Sequence, residues 1–255
     1  MYQCKTKRGL MGLSLRIDVD NPFGYTTRFK KILNRLSLDY NLVPHWPSLG
    51  YLENAERLAN YLYDHSVPAT WYFRNISAPK KGRFGIFRRN IFDLELHAER
   101  TDTLESFANE VEQWSKVFGA RPRGFTKHGS GDLKLSRKHV KEYDDETFIE
   151  FGVNLGFRYF LGNGIGIGQG FEMREDLVFI PSVLWLDNMS LHASDKVFEN
   201  ALEYSRKNPL VVLVHPIRWV MQPETQEHLE QLIEQVKLET VISQVNAFKA
   251  REQKP

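Results

Sequence analysis

Asp18 and Asp20 close a strand-like run, Leu13-Ser14-Leu15-Arg16-Ile17-Asp18-Val19-Asp20, that Asn21-Pro22 then stops. Side chains two apart on a strand share a face, so the two carboxylates stand on one side, roughly 7 Å apart along the chain. Two carboxylates at the carboxyl end of a buried strand need a cation or hydrogen-bond donors to stay charged together. Ordinary turn chemistry, one Asp capping and the other paired with a Lys, fits the spacing as well. Three histidines fall where other runs end: His97 after Ile91 to Leu96, His128 after Gly124 to Lys127, and His215 after Leu210 to Val214. Singly, such a histidine is more often a structural hydrogen-bonding residue; three beside an Asp pair point to a site. Carboxylate with imidazole suits Zn²⁺, and also Fe, Co or Mn, with no cysteine required. One Asp then coordinates while the other takes a proton from water, and a His on the facing wall protonates a leaving group. His45, His65, His139, His192 and His228 lie in loops or at helix ends and read as surface or capping residues.

Those residues need a scaffold of strands whose carboxyl ends converge, and the chain offers one. Leu52, Ala55, Leu58, Ala59 and Leu62 recur at helical spacing, ending near His65 before Pro68. Strands are expected at Ala69 to Phe73, Ile91 to His97, Gly124 to His128, Phe157 to Leu161, Val178 to Pro181 and Leu210 to Val214. Between them lie helical faces: Leu104, Phe107, Ala108, Val111, Trp114 and Phe118, opened by Asp102 and Glu105 at capping-box spacing and ended by Gly119. A second is capped by Asp144 and carries Phe148, Phe151 and Leu155. A third follows Ser194 with Val197, Phe198, Ala201 and Leu202, and a fourth holds Leu229, Leu232, Ile233 and Val236. Glu239 to Ser243 reads as an edge strand before a charged tail. The alternating glycines at 162, 164, 166, 168 and 170 do not match a dinucleotide fingerprint and read as a loop. Residues 21–50, with Pro22, Pro44 and Pro47, read as a long loop with a short helix over Phe29 to Leu36. Alternating strands and helices indicate a parallel α/β fold, and no composition shift divides residues 1–255, with 1–10 and 250–255 as loose termini.

The bulk composition narrows the function. Of 255 residues, 42% are hydrophobic and 13% aromatic, enough for a real core, and a net charge of +2 gives no global pull toward nucleic acid. The single Cys4 excludes an intramolecular disulfide and a cysteine-based zinc site. No signal-peptide core and no run of ~18 apolar residues is present, so a cytoplasmic protein without a transmembrane segment is expected. The basic, aromatic stretch Pro79 to Arg89 reads as a solvated loop, with contact to an anionic ligand or membrane surface as the alternative.

The ordered motifs resemble a known family. Ile17-Asp18-Val19-Asp20 is similar to the first motif of the polysaccharide deacetylases, Leu94-Glu95-Leu96-His97 to the start of their second, Arg123-Gly124-Phe125 to the lead into their third, and Val212-Leu213-Val214-His215-Pro216 to their last. The resemblance implies a single-domain distorted (β/α) barrel of about seven parallel strands that hydrolyses an N-acetyl group on a sugar. It implies Asp18 as the general base, His215 as the general acid, and Asp20 and His97 as metal ligands, for which the donor types favour Zn²⁺ first, with Co, Fe or Mn open. Trp185 and Asp187 fall near where the family lines its sugar site. Two positions depart. The family's His-x-x-x-His has Thr101 in its second place, and its third-motif Arg, which orients the base, gives way to Thr126-Lys127-His128. Either His128 supplies the third ligand from another wall, or the site has decayed or binds weakly with more water. Lys127 and Arg16 are available cations for Asp18; alternation turns Lys127 away from the face of His128, and neither is assigned. The expected activity is removal of an acyl group from an amino sugar or glycan precursor, phosphate-bearing if the basic stretch takes part. Its rivals are a catalytically silent barrel binding a glycan or protein partner, and a hydrolase of an ester or non-sugar amide.

Overall fold

A computed structural model describes residues 12–20, 29, 32, 52–79, 84–128, 144–167, 170–188 and 195–253. Its strands are β1 (Leu13–Val19), β2 (Ala69–Phe73), β3 (Phe92–Ala98), β4 (Gly124–Lys127), β5 (Tyr159–Ile165), β6 (Glu172–Arg174), β7 (Leu177–Trp185), β8 (Leu210–Val214) and β9 (Leu238–Glu239). The helices are α1 (Glu53–Asp64), α2 (Leu104–Phe118), α3 (Asp145–Asn154), α4 (Asp195–Ser205), α5 (Pro216–Met221), α6 (Pro223–Gln235) and α7 (Val241–Glu252). Seven strands pair in parallel in the order β2-β3-β4-β5-β7-β8-β1, and β1 returns to β2, so the sheet closes into the expected (β/α) barrel. β6 adds an antiparallel edge to β7, and β9 pairs only with Leu13 and Ser14.

Alternation on β1 explains the layering. Leu13, Leu15, Ile17 and Val19 face the helices and join the outer core, with Ala55, Leu58, Ala59 and Leu62 of α1 and Phe107, Val111, Trp114 and Phe118 of α2. Arg16 and Asp18 face the other way, into the barrel, where Arg16 reaches Gly162 and Asn163 of β5. Inside, a second apolar group fills the amino-terminal half: Tyr72, Tyr159, Val178, Ile180, Val211 and Leu213, joined by Val241, Ile242 and Val245 of α7. α7 therefore closes the floor. Its Val241 N–H donates to Thr70 at 2.9 Å, and Gln244 donates to the Gly12 carbonyl. Only the carboxyl ends of the strands are left to form a mouth, the usual place for chemistry in such barrels.

Several local expectations shift. The edge strand expected over Glu239 to Ser243 is confined to β9, which ends at Glu239, and the chain from Val241 through the charged tail to Glu252 is helix α7. Thr103, not Asp102, caps α2: its Oγ1 accepts from Ser106 N at 3.1 Å, while Asp102 accepts the Ser106 hydroxyl. Asp144 caps α3 as expected, accepting from Glu146 N at 3.2 Å. Gly162 and Gly164 belong to strand β5, not to a loop, and the pairing of β5 with β7 shifts register between Leu161 and Gly164. The expected loop over 21–50, with its helix at Phe29 to Leu36, lies outside the described residues apart from Phe29 and Ile32, as does Ser194. No described helix is long and apolar enough to cross a membrane.

Candidate metal and acid–base site

Asp18 and the expected ligands meet at the mouth. Asp20 follows β1, His97 stands on β3, His128 directly follows β4 and His215 directly follows β8. Asp20 Oδ1 lies 2.9 Å from His97 Nε2 and 3.3 Å from His128 Nδ1, and the two ring nitrogens are 3.0 Å apart. Three ligands on one tetrahedral Zn²⁺ at about 2.0–2.1 Å would be separated by about 3.3 Å. The set is therefore contracted slightly around a shared point. Asp20 Oδ1 is buried and accepts no hydrogen bond of good geometry among the described residues. An orphaned carboxylate oxygen beside two converging imidazoles is the donor set a divalent cation fits. Among the described residues, Asp20, His97 and His128 form one of two groups with ligand atoms close enough to hold an ion; the other is Asp18, Asp20 and His215.

The third side of Asp20 belongs to His215. Asp20 Oδ2 is 3.3 Å from His215 Nε2, and the opposite ring nitrogen donates to Asp187 Oδ2 at 2.6 Å. The same Asp187 oxygen accepts the His215 backbone N–H at 3.1 Å. Asp187, expected to line a sugar site, is 3% exposed and instead fixes the tautomer and angle of His215. Trp185, expected beside it, is half-buried at the end of β7, its ring 5.7 Å from that of His215.

Environment drives two of the three imidazoles bordering Asp20, His128 and His215, apart. Burial pushes His128 down and the Arg74 charge pushes it further, outweighing Asp20, so its pKa falls to about 3. Burial also pushes His215 down, but Asp20 and Asp187 together lift it well above the ordinary histidine value. Burial raises the Asp20 carboxyl, and His128 and His215 reverse this to leave it well below the usual carboxylate range. At neutral pH these surroundings favour the neutral imidazole at His128 and the protonated one at His215.

Asp18 is held separately. Arg16 Nε donates to its Oδ1 at 2.9 Å and the Arg16 terminal nitrogen to its Oδ2 at 2.6 Å, a two-pronged pairing between residues two apart on β1. Burial pushes the Asp18 carboxyl up; Arg16 and then His97 more than compensate and keep it below the usual range. The cationic partner of Asp18 thus comes from β1 itself. Lys127 faces outward, as alternation requires, donating to the carbonyls of His128 and Glu99 at 2.8 and 3.4 Å. Thr101 is buried nearby, its hydroxyl without a partner among the described residues.

Three contributors escape a search for Asp and His at strand ends. Arg74, one residue past β2, donates to the Asp20 carbonyl at 2.8 Å and pairs with Glu99 at 2.7 Å. Asn163 was hidden among glycines read as a loop. Arg16 is visible in sequence as the same-face neighbour of Asp18, but only barrel closure shows what else holds it. The described part of the basic stretch lies elsewhere. Arg88 donates to the carbonyl of Phe118, the last residue of α2, and Arg89 stacks over Tyr63, so both sit toward the floor.

No family model matches the chain, and no curated protein matches it. Solved structures do. A protein of Mycobacterium smegmatis assigned to the polysaccharide deacetylases is 14% identical over 97% of this chain and 93% of that one, with a TM-score of 0.64. The allantoinase Puue is 12% identical over 97% and 93%, with a TM-score of 0.61. A Pseudomonas aeruginosa PAO1 protein also assigned to the polysaccharide deacetylases is 13% identical over 96% and 93%, with a TM-score of 0.59. At such identities the likeness is one of fold: the chain has the barrel of the polysaccharide deacetylases.

Proposed function

We propose that this chain is a metal-dependent hydrolase that removes an acyl group, first of all N-acetyl, from an amino sugar or glycan precursor of surface-polysaccharide synthesis. The observation that carries the reading is the convergence of His97, His128 and His215 on the one carboxylate of Asp20, at 2.9, 3.3 and 3.3 Å. Asp20, His97 and His128 are the residues that would hold the cation; their N/O donor set suits Zn²⁺, with Co, Fe or Mn as alternatives. Bound there, the ion supplies a Lewis acid for the acyl carbonyl and for water. Asp18 accepts the proton as water adds to the acyl carbon. His215, its Nδ1 fixed by Asp187, gives the Nε2 proton to the departing nitrogen as the C–N bond breaks, leaving a carboxylic acid and a free amine. Trp185, beside His215, offers a ring face for a pyranose.

The likeness to an allantoinase keeps a non-sugar amide as the competing substrate, because a fold does not fix what it acts on. The test is acetate release from N-acetylglucosamine oligomers after loading the protein with Zn²⁺ or Co²⁺. Asp18→Asn is expected to abolish turnover and keep bound metal near the wild-type level; loss of metal in that variant would put Asp18 in the coordination shell and refute the assignment. Thr101 in place of a second histidine favours the silent barrel. Wild-type protein that takes up neither ion would decide for it.

A further inference from the structure

Two groups of three at the mouth could each hold an ion, and they share Asp20. Something must choose between Asp20–His97–His128 and Asp18–Asp20–His215. Both oxygens of Asp18 face the Arg16 guanidinium, at 2.9 and 2.6 Å. A guanidinium keeps its charge at any physiological pH, so a dication drawn to Asp18 would meet a fixed positive neighbour and compete for the same lone pairs.

The guanidinium is itself held from across the barrel. Its other terminal nitrogen donates to the Gly162 carbonyl at 3.1 Å, and the one bound to Asp18 Oδ2 also donates to Asn163 Oδ1 at 2.9 Å. The Asn163 amide nitrogen then donates to the Lys127 carbonyl at 2.7 Å, one residue before His128. This chain of contacts runs from the base, through β5, to the strand that carries an imidazole ligand. Its centre depends on two glycines. A Cβ at Gly162 or Gly164 would lie 2.7 or 2.6 Å from the Pro181 carbonyl oxygen, so only glycine lets β5 press against β7 where the register shifts. That irregularity turns the Gly162 carbonyl and the Asn163 amide toward Arg16.

We propose that Arg16, held by the Gly162-Asn163-Gly164 irregularity of β5, is a positioning residue that directs the cation to Asp20–His97–His128 and keeps Asp18 uncoordinated. The proposal rests on the hydrolase reading for the role it gives Asp18, but its test does not need turnover. Co²⁺ alone is the probe, its visible absorption reporting coordination number and its titration giving affinity. In the wild type, Asp18→Asn leaves spectrum and affinity unchanged within about twofold. Arg16→Met frees Asp18 to coordinate, raising affinity about tenfold and weakening the visible bands as the coordination number increases. The double variant Arg16→Met/Asp18→Asn returns to the wild-type spectrum and also removes the unpaired buried carboxylate, so it guards against a folding defect. Arg16→Lys, with charge but no fork, falls between, as does Asn163→Ala, which also lowers kcat about tenfold at constant KM. A folded Arg16→Met protein with the wild-type spectrum would overturn the proposal, as would a wild type that binds no Co²⁺. A wild type that binds Co²⁺ with these responses yet hydrolyses no N-acyl amino sugar would uphold the clamp and overturn the hydrolase reading.

Discussion

Of the carboxylates in this barrel, Glu95 toward the floor is fully buried and Asp20 at the mouth is partly exposed, and their surroundings differ in kind. Glu95 is fully satisfied. It accepts the backbone N–H groups of Arg123 and Gly124 at 2.6 and 3.0 Å and the Arg123 Nε at 2.9 Å, while Arg123 also pairs with Asp93 at 2.6 Å. Asp20 has imidazoles drawn up on both sides and one oxygen without a well-aimed donor. Directed donors mark a carboxylate that holds a fold together, since each buried group has its partner. Converging ligand atoms with an orphaned oxygen instead fit the proposed cation site.

The largest effect expected is at the floor. Glu95→Ala strands two backbone N–H groups and weakens the hold on Arg123, and should cost roughly 3–5 kcal/mol in urea unfolding. A loss under about 1 kcal/mol would erase the contrast with Asp20. At the mouth, His128→Ala should lower Zn²⁺ affinity at least ~100-fold by calorimetric titration, while the metal-free protein changes little in stability. Retained affinity would mean that His128 stands beside the ion and not on it.

A third test uses Glu110, buried behind the imidazole wall. Burial lifts its carboxyl to about 7 from 4.5, despite N–H groups of Arg100 and Glu99 donated to it. Because the folded value is the higher one, its contribution is fully present below the ordinary value and is lost as pH rises through about 7. In metal-free protein, the stability of Glu110→Gln relative to wild type should therefore rise between pH 4.5 and 7.5, by on the order of 3 kcal/mol, and then level off. A difference independent of pH would show the carboxylate is ionised throughout. The smallest effect is expected at Thr101, whose buried hydroxyl lacks a partner among the described residues: Thr101→Val should shift stability by less than about 1 kcal/mol and leave Zn²⁺ affinity alone. A drop in affinity would restore this position to the site.

What the sequence by itself determined was periodicity and residue type at strand ends. The two-residue period of Leu13 to Asp20 set the carboxylates on one face, and the runs ending at His97, His128 and His215 delivered imidazoles to one rim. Local rules worked there because a strand's alternation and direction are properties of its own backbone. The same rules misread Gly162 to Gly164, since glycine permits both a loop and a strand pressed against its neighbour, and only the nearby Pro181 carbonyl selects the strand. They missed α7, whose apolar residues make sense only against the barrel floor they cover. The tertiary structure alone decided which cation holds Asp18, that Asp187 fixes His215, and that burial pushes the His128 pKa down while Asp20 and Asp187 push that of His215 up. Those outcomes depend on distances between strands far apart in sequence and on burial, and both come into being only when the barrel closes.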